Sequence, residues 1–401
     1  MKTQRTIGAE SKAAPEIGEI PFNRPPVTGR EIEYLKDALQ RRELEGKNHY
    51  TVLCQNWLQQ QVGARDALLT HSCTAALEMA AILADLAPGD EVILPSYTFT
   101  STANAVVLRG AVPVFVDIRP DTLNIDPARI EEAVTPRTKA VFVVHYAGIC
   151  AEMDAINAIA TRHGLCVVED AAQALLSTYR GRPAGGLGQL GCFSFHASKN
   201  IVSGEGGALT VNDDRLVERA HIVSDKGTNR RQFFAGMVDK YSWVDIGSSY
   251  APNELTAAFL LAQLEVAETI IASRVAVWNR YHTSFAELEA NGALLRPTVP
   301  QECRHNGHIY YLIMPSREQR DAMIAELAAR GVKAPFHYVP LHSAPAGRRY
   351  GRVGGSLAVT DSISTRLLRL PLFMELGDQA DAVIERVYYA WKAVRSERKK
   401  A

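Results

Sequence analysis

From about residue 66 to residue 211 the chain alternates short apolar runs with longer amphipathic stretches. The runs fall at 67–69, 91–94, 112–117, 140–145, 165–169, 192–195 and 208–211. Several are apolar almost without interruption, the pattern of strands covered on both faces. Helical periodicity fills 74–86, 101–108, 127–134 and 154–163 between them. This alternation predicts the α/β class, with a mostly parallel central sheet and helices on both faces. Ligands of such sheets bind beyond the carboxyl ends of the strands. Ser96, His145 and Asp170 stand at three of those ends.

The texture changes near residue 254. A helical pattern runs over 254–291 without Pro or Gly, followed by a strand at 309–314 and a helix at 317–330. A Pro- and His-containing loop at 334–348 and a last helix at 378–395 complete a smaller C-terminal α+β unit. The division expected is a disordered extension over 1–19, a large α/β domain over 20–260 and a small domain over 261–401.

Composition narrows the function. Basic and acidic residues number 44 each in 401, so the formal charge balances. That argues against a nucleic-acid or anionic-membrane partner. The six cysteines lack CxxC spacing, so neither a disulfide framework nor a metal site is expected, and a reduced, cytoplasmic setting is. No apolar run approaches the ~20 residues of a membrane-spanning helix, and the N-terminus lacks a signal-peptide core.

The chemistry concentrates around Lys199, in Ser194-Phe195-His196-Ala197-Ser198-Lys199-Asn200, and Asp170, in Val168-Glu169-Asp170-Ala171-Ala172-Gln173. A lysine able to form an imine and an acid able to keep a pyridine nitrogen protonated are the minimum equipment for pyridoxal phosphate (PLP) chemistry. Asp170 also reads as a helix N-cap. Gln173 reads either as a contact to the ring's 3-oxygen or as a solvated helix residue. His71-Ser72-Cys73-Thr74-Ala75 joins a strand to a helix, where small residues expose backbone N–H groups to an anion such as the cofactor phosphate. Phe99 reads as a ring-stacking aromatic or as core. The basic loop Lys226-Gly227-Thr228-Asn229-Arg230-Arg231 fits a phosphate clamp or a solvated charge cluster. Phe336-His337-Tyr338-Val339-Pro340-Leu341-His342 fits hydrogen bonding to a polyhydroxylated substrate or a Pro-stiffened loop. Gly186-Leu187-Gly188-Gln189-Leu190-Gly191 matches GxGxxG in form, but it leads into a strand, so the dinucleotide-fold reading is rejected and a nucleotide-sugar oxidoreductase stays only as the less favoured alternative.

Together with Pro95-Ser-Tyr-Thr-Phe, Val144-His-Tyr-Ala-Gly and Gly204-Glu-Gly-Gly, these motifs make the chain resemble the DegT/DnrJ/EryC1/StrS family of PLP-dependent nucleotide-sugar aminotransferases, over about 20–391. The resemblance implies PLP fold-type I (aspartate aminotransferase-like) architecture and a homodimer with shared active sites. It implies Lys199 as the imine-forming catalytic residue, Asp170 as ring-nitrogen partner, Gln173 as ring contact and Phe99 as stacking residue. Ser194, Cys73, Thr74 and Ala75 fall at phosphate-binding positions. The implied substrates are a dTDP-linked ketosugar and L-glutamate, with Lys226, Asn229, Arg230, His337, Tyr338 and His342 as sugar-nucleotide contacts. Ala251 stands where many members carry an Asn that reaches the partner's cofactor phosphate; Ser248, Ser249 or Asn253 is expected in its place. Relatives that remove a sugar hydroxyl carry His at the position of Lys199, so Lys favours transamination.

Overall fold

The computed structural model describes residues 18–398. The strands, in chain order, are β1 (Asp66–Thr70), β2 (Glu91–Pro95), β3 (Val112–Val116), β4 (Thr138–Val144), β5 (Cys166–Asp170), β6 (Thr178–Tyr179), β7 (Arg182–Pro183), β8 (Leu190–Ser194), β9 (Gly207–Val211), β10 (Cys303–Arg304), β11 (Tyr310–Ile313), β12 (Arg352–Val353) and β13 (Leu367–Leu370). Eight of them form the central sheet, in the order β1-β9-β8-β5-β4-β2-β3-β12. Pairing is parallel from β12 through β3, β2, β4 and β5 to β8, and antiparallel at β8–β9 and β9–β1.

The apolar runs explain this burial. Successive strand residues face opposite ways, so each run feeds two cores. Ile93, Val114, Val141, Val143 and Val167 enter one layer, together with helices His49–Val62, Met153–His163 and Glu254–Leu264. Val92, Leu94, Phe115, Phe142 and Val168 enter the other, with helices Cys73–Leu83, Thr100–Val107 and Asp214–Ser224.

A third core surrounds the β11–β13 pair and takes its residues from helices Ala267–Ser284, Arg317–Ala329 and Gln379–Arg398. The expected cut at 260/261 falls inside helix Glu254–Leu264, whose Leu260, Leu261 and Leu264 belong to the first core. The changeover lies within helix Ala267–Ser284: Ile270 joins the first core and Val277 the third. The chain then returns, for Leu341 and Leu357 pack in the second core and β12 joins the central sheet. Helical periodicity marks an apolar face but not the core that receives it. The helical stretch expected over 254–291 is three helices, the first two bent by 59° at Glu265 and Val266. Among the described residues no single helix is long and apolar enough to cross a membrane.

Residues 1–17 of the expected extension lie outside the described residues. The last two residues of that stretch are tied down: the Gly18 carbonyl accepts from Arg386, Glu19 pairs with Lys333, and Ile20 bridges to Val332.

Candidate active site

At the carboxyl edge of the parallel strands lies a cavity of about 580 Å³. β5 delivers Asp170 into it, β8 delivers Ser194 and the loop carrying Lys199, and the helix after β1 presents its N-terminus. A larger crevice of about 910 Å³ opens at the other end of β5, beside Cys166, and contains neither Lys199 nor Asp170.

Lys199 is half-buried, and no hydrogen bond or ion pair engages its amine among the described residues. Desolvation lowers its pKa from 10.5; Cys73 and Asp170 oppose that shift, and the cation of Arg369 adds to it. Asp170 caps no helix, since turns follow it. Its carboxylate accepts from Thr102 Oγ1 (2.7 Å) and from the Ala172 N–H (3.2 Å). Thr102 in turn contacts Thr98 (3.0 Å).

Another part of the cavity is built for an anion. Ser72 caps helix Cys73–Leu83 by accepting from the Ala75 N–H (3.1 Å). The N–H groups of Cys73 and Thr74 precede the first intrahelical bond, so they and the helix dipole face the cavity. The Thr74 hydroxyl, bonded to Ser101 (2.7 Å), and Ser194 stand beside them. Gly207 permits this arrangement: a Cβ there would lie 2.4 Å from Cys73 N. Phe99, 59% exposed, offers a flat apolar face at the rim.

Gln173 is buried and lies in a turn, not a solvated helix. Its Oε1 accepts from the Ala147 N–H (2.7 Å), and its Nε2 donates to Tyr338 Oη (3.1 Å). Tyr338 and His337 both line the cavity, and His337 Nδ1 contacts Tyr146 Oη (2.9 Å). Burial, followed by the charges of Arg369 and Lys199, holds His337 well below the ordinary histidine value.

The remaining sequence candidates lie elsewhere within the chain. His342 contacts Ser96 (2.7 Å) and Asp361 (3.2 Å) outside the cavity lining. Arg230 lines a separate crevice of about 510 Å³ with Lys47 and His221. Lys226 pairs with Asp225, and Asn229 accepts from the Ser242 N–H. Ser248 and Ser249 are joined to the same loop through Lys226 and Asp225. Asn253 caps helix Glu254–Leu264, and Ala75 contributes the N–H that Ser72 receives.

Thr102, buried behind the cavity against Asp170, and His308 and Arg369 in the cavity lining were not among the sequence candidates. His308 Nδ1 donates to Asn200 Oδ1 (2.8 Å), which leaves Nε2 as the unprotonated acceptor of a neutral ring. Burial first and Lys199 second keep that ring neutral. Thr102 lies in a hydroxyl-rich run, where nothing marks which hydroxyl meets Asp170.

The GxGxxG loop does not present its amides to a nucleotide. The N–H groups of Gly185, Leu187 and Gly188 donate to the buried Glu169 carboxylate at 2.6–2.8 Å. His145 Nε2 donates to the same carboxylate (2.8 Å). Among the described residues no His, Cys, Asp or Glu cluster suits a metal ion.

A partnerless lysine of lowered proton affinity, a carboxylate across the cavity and a helix start for a phosphate together fit PLP and define a PLP-dependent enzyme. Residues 27–388 match the profile of the DegT/DnrJ/EryC1/StrS aminotransferase family, and the chain belongs to that family. It is 36% identical over 377 residues to the spore coat polysaccharide biosynthesis protein SpsC of Bacillus subtilis, covering 92% of this chain and 96% of that one. It is 34% identical over 334 residues to the GDP-perosamine synthase of Caulobacter vibrioides, covering 82% and 87%. Among solved structures, the aminotransferase TlmJ of Streptoalloteichus hindustanus superposes with a TM-score of 0.86 at 31% identity, over 94% of this chain and 100% of that one. Spr1654 of Streptococcus pneumoniae, 27% identical, superposes in its PMP form with a TM-score of 0.87, over 95% of this chain and 100% of that one. It has also been solved in a PLP form. The chain is an aminotransferase, and PLP is its cofactor.

Proposed function

We propose that this aminotransferase moves the amino group of L-glutamate to C4 of dTDP-4-dehydro-6-deoxy-D-glucose. The products are dTDP-4-amino-4,6-dideoxy-D-galactose, a surface-polysaccharide precursor, and 2-oxoglutarate. One observation carries the chemistry: Lys199 is an unengaged amine of lowered proton affinity in the cavity that also holds Asp170. The bound cofactor supplies an aldehyde that takes up amino groups and a ring that withdraws electrons from the reacting carbon. The chain's residues do the rest. The Cys73–Thr74 helix start and Ser194 hold the phosphate, Asp170 keeps the proton on the ring nitrogen, and Phe99 covers one face. Lys199 takes the proton from the α-carbon of glutamate and later delivers one to C4 of the sugar, setting the stereochemistry by the face it occupies.

The choice of sugar is supported by the stretches 226–230, 238–241, 245–250 and 336–342, which resemble dTDP-4-amino-4,6-dideoxygalactose transaminase. A second reading, another nucleotide-linked 3- or 4-ketosugar, draws support from the similarity to a GDP-perosamine synthase. We further place the active sites at a homodimer interface. Apart from His342, the substrate candidates that miss this chain's own cavity lie in residues 226–253. Phe234, Met237 and Trp243 in that segment are 71%, 71% and 81% exposed, an apolar surface suited to a second copy. Incubating the holoenzyme with glutamate and a panel of dTDP-, UDP- and GDP-ketosugars, with NMR of the product, tests the assignment. Amination of the dTDP sugar at C4 with an axial amine is expected; preference for another base or carbon overturns it.

A further inference from the structure

Asp170 is held by a chain of two hydroxyls. Thr98 and Thr102 are both buried, on the stretch that leads from β2 into helix Thr100–Val107. Thr102 Oγ1 lies 2.7 Å from Asp170 Oδ2, and Thr98 Oγ1 lies 3.0 Å from Thr102 Oγ1. The available protons fix the direction of both bonds. An ionised carboxylate only accepts, and a threonine hydroxyl has one proton to give. Thr102 therefore donates to Asp170, which leaves its oxygen to accept from Thr98. Asp170 Oδ1 is held separately, by the Ala172 N–H at 3.2 Å. Each carboxylate oxygen thus has a donor of its own.

Packing alone does not ask for this arrangement. A valine has nearly the outline of a threonine and brings no buried polar atom that needs a partner. A threonine inside a helix commonly turns its hydroxyl to a carbonyl of the preceding turn. Thr102 spends its proton on a carboxylate instead. Hydrogen bonds to an ionised acceptor are about twice as strong as neutral ones, and linked bonds polarise one another away from water. Thr98 lines the cavity next to Phe99, so the segment that supplies the aromatic at the rim also supports Asp170.

We propose that Thr102, itself oriented by Thr98, is a positioning residue that fixes the Asp170 carboxylate against the cofactor's ring nitrogen and so keeps the proton on that nitrogen. This rests on reading the cavity as the transamination site. Thr102 acts only through Asp170, and Thr98 only through Thr102.

The test compares wild-type, Thr102→Val, Thr102→Ser, Thr98→Val and Thr98→Val/Thr102→Val proteins, each loaded with PLP isotope-labelled at the ring nitrogen. NMR reads the protonation of that nitrogen, and cofactor absorbance follows the half-reaction with L-glutamate. Borohydride trapping reads cofactor attachment at Lys199 in the same samples. In Thr102→Val the nitrogen resonance should move toward that of an unprotonated pyridine. The half-reaction should slow roughly 10- to 100-fold at saturating glutamate, with the half-saturating concentration unchanged. Thr102→Ser should restore both, and Thr98→Val should show a smaller change of the same sign. The double variant should be no worse than Thr102→Val, because the outer hydroxyl has nothing left to act through. Trapping should be unchanged throughout. Should Thr102→Val not fold, Thr98→Val carries the comparison, and a wild-type resonance and rate there overturn the relay. Additive losses in the double variant overturn it too, as does a wild-type resonance in Thr102→Val, and all of these leave the transamination site intact. Failure of the wild type to trap cofactor at Lys199 overturns the site itself, and the role of Thr102 with it.

Discussion

Lys199 follows β8 by a short loop and lies within electrostatic range of Cys73 and Asp170, with no hydrogen bond holding its amine among the described residues. Its lowered proton affinity has a direct consequence. Uptake of PLP by the apoprotein needs the neutral amine, so its rate should rise with pH and level off below the ordinary lysine value of 10.5. A stopped-flow series across pH checks this; a rise continuing through 10.5 contradicts it. Lys199→Ala and Lys199→Arg should each abolish turnover, read as amino-sugar formation, because neither leaves an amine that can exchange a proton with the reacting carbon. Lys199 and Asp170 were singled out in the sequence as candidates, since each stands at or just beyond the end of an apolar run. His308 and Arg369 were not, because their meaning comes from contacts across distant segments: Asn200 in one case, Phe22 in the other.

At the scale of elements, the sequence placed every strand of the central sheet except the two-residue β12, because short apolar runs set between helical patterns fit few other environments. What it withheld is how strands are fastened. Glu91 opens β2 fully buried and accepts from Thr135, Arg137 and Arg352, the last of which lies on β12. These donors pull its pKa from 4.5 to about 2, the Arg352 bond being the largest favourable cause. A depressed carboxylate adds stability above its unfolded pKa and loses it as pH falls through the folded value. Glu91→Gln should therefore cost about 1–3 kcal/mol at neutral pH. The gap to wild type should close between pH 4.5 and about 2, as denaturant titrations would read. A constant gap across that window would mean that packing, not charge, joins β12 to the sheet. Glu169 fastens the 185–188 loop in the same manner, by collecting three backbone donors and His145. This is why a glycine-rich motif with a nucleotide-binding outline serves here as a buried brace.

For the whole molecule, the candidates other than His342 fall into two groups, those around Lys199 and those on the 226–253 segment. If the second group serves the neighbour's cavity, two damaged proteins should repair one another. Mixing inactive Lys199→Ala dimers with dimers impaired by Arg230→Ala should restore up to about a quarter of wild-type sites after subunit exchange, by random-pairing statistics of a C2 dimer. No recovery after exchange verified by mass would place Arg230 in its own subunit's site or in none. The sequence could show both groups but not their separation, since distance between segments is set by packing. The segment 18–24 adds a practical point. Its Ile20 pairs beside Val332, its Phe22 covers the Arg369 guanidinium, and its Asn23 donates to the Ala197 carbonyl two residues before Lys199. A trimmed version of this enzyme that starts at the first helix, Glu31–Arg41, would therefore lose one wall of its own reaction chamber, and anyone shortening the gene for expression should cut ahead of Gly18.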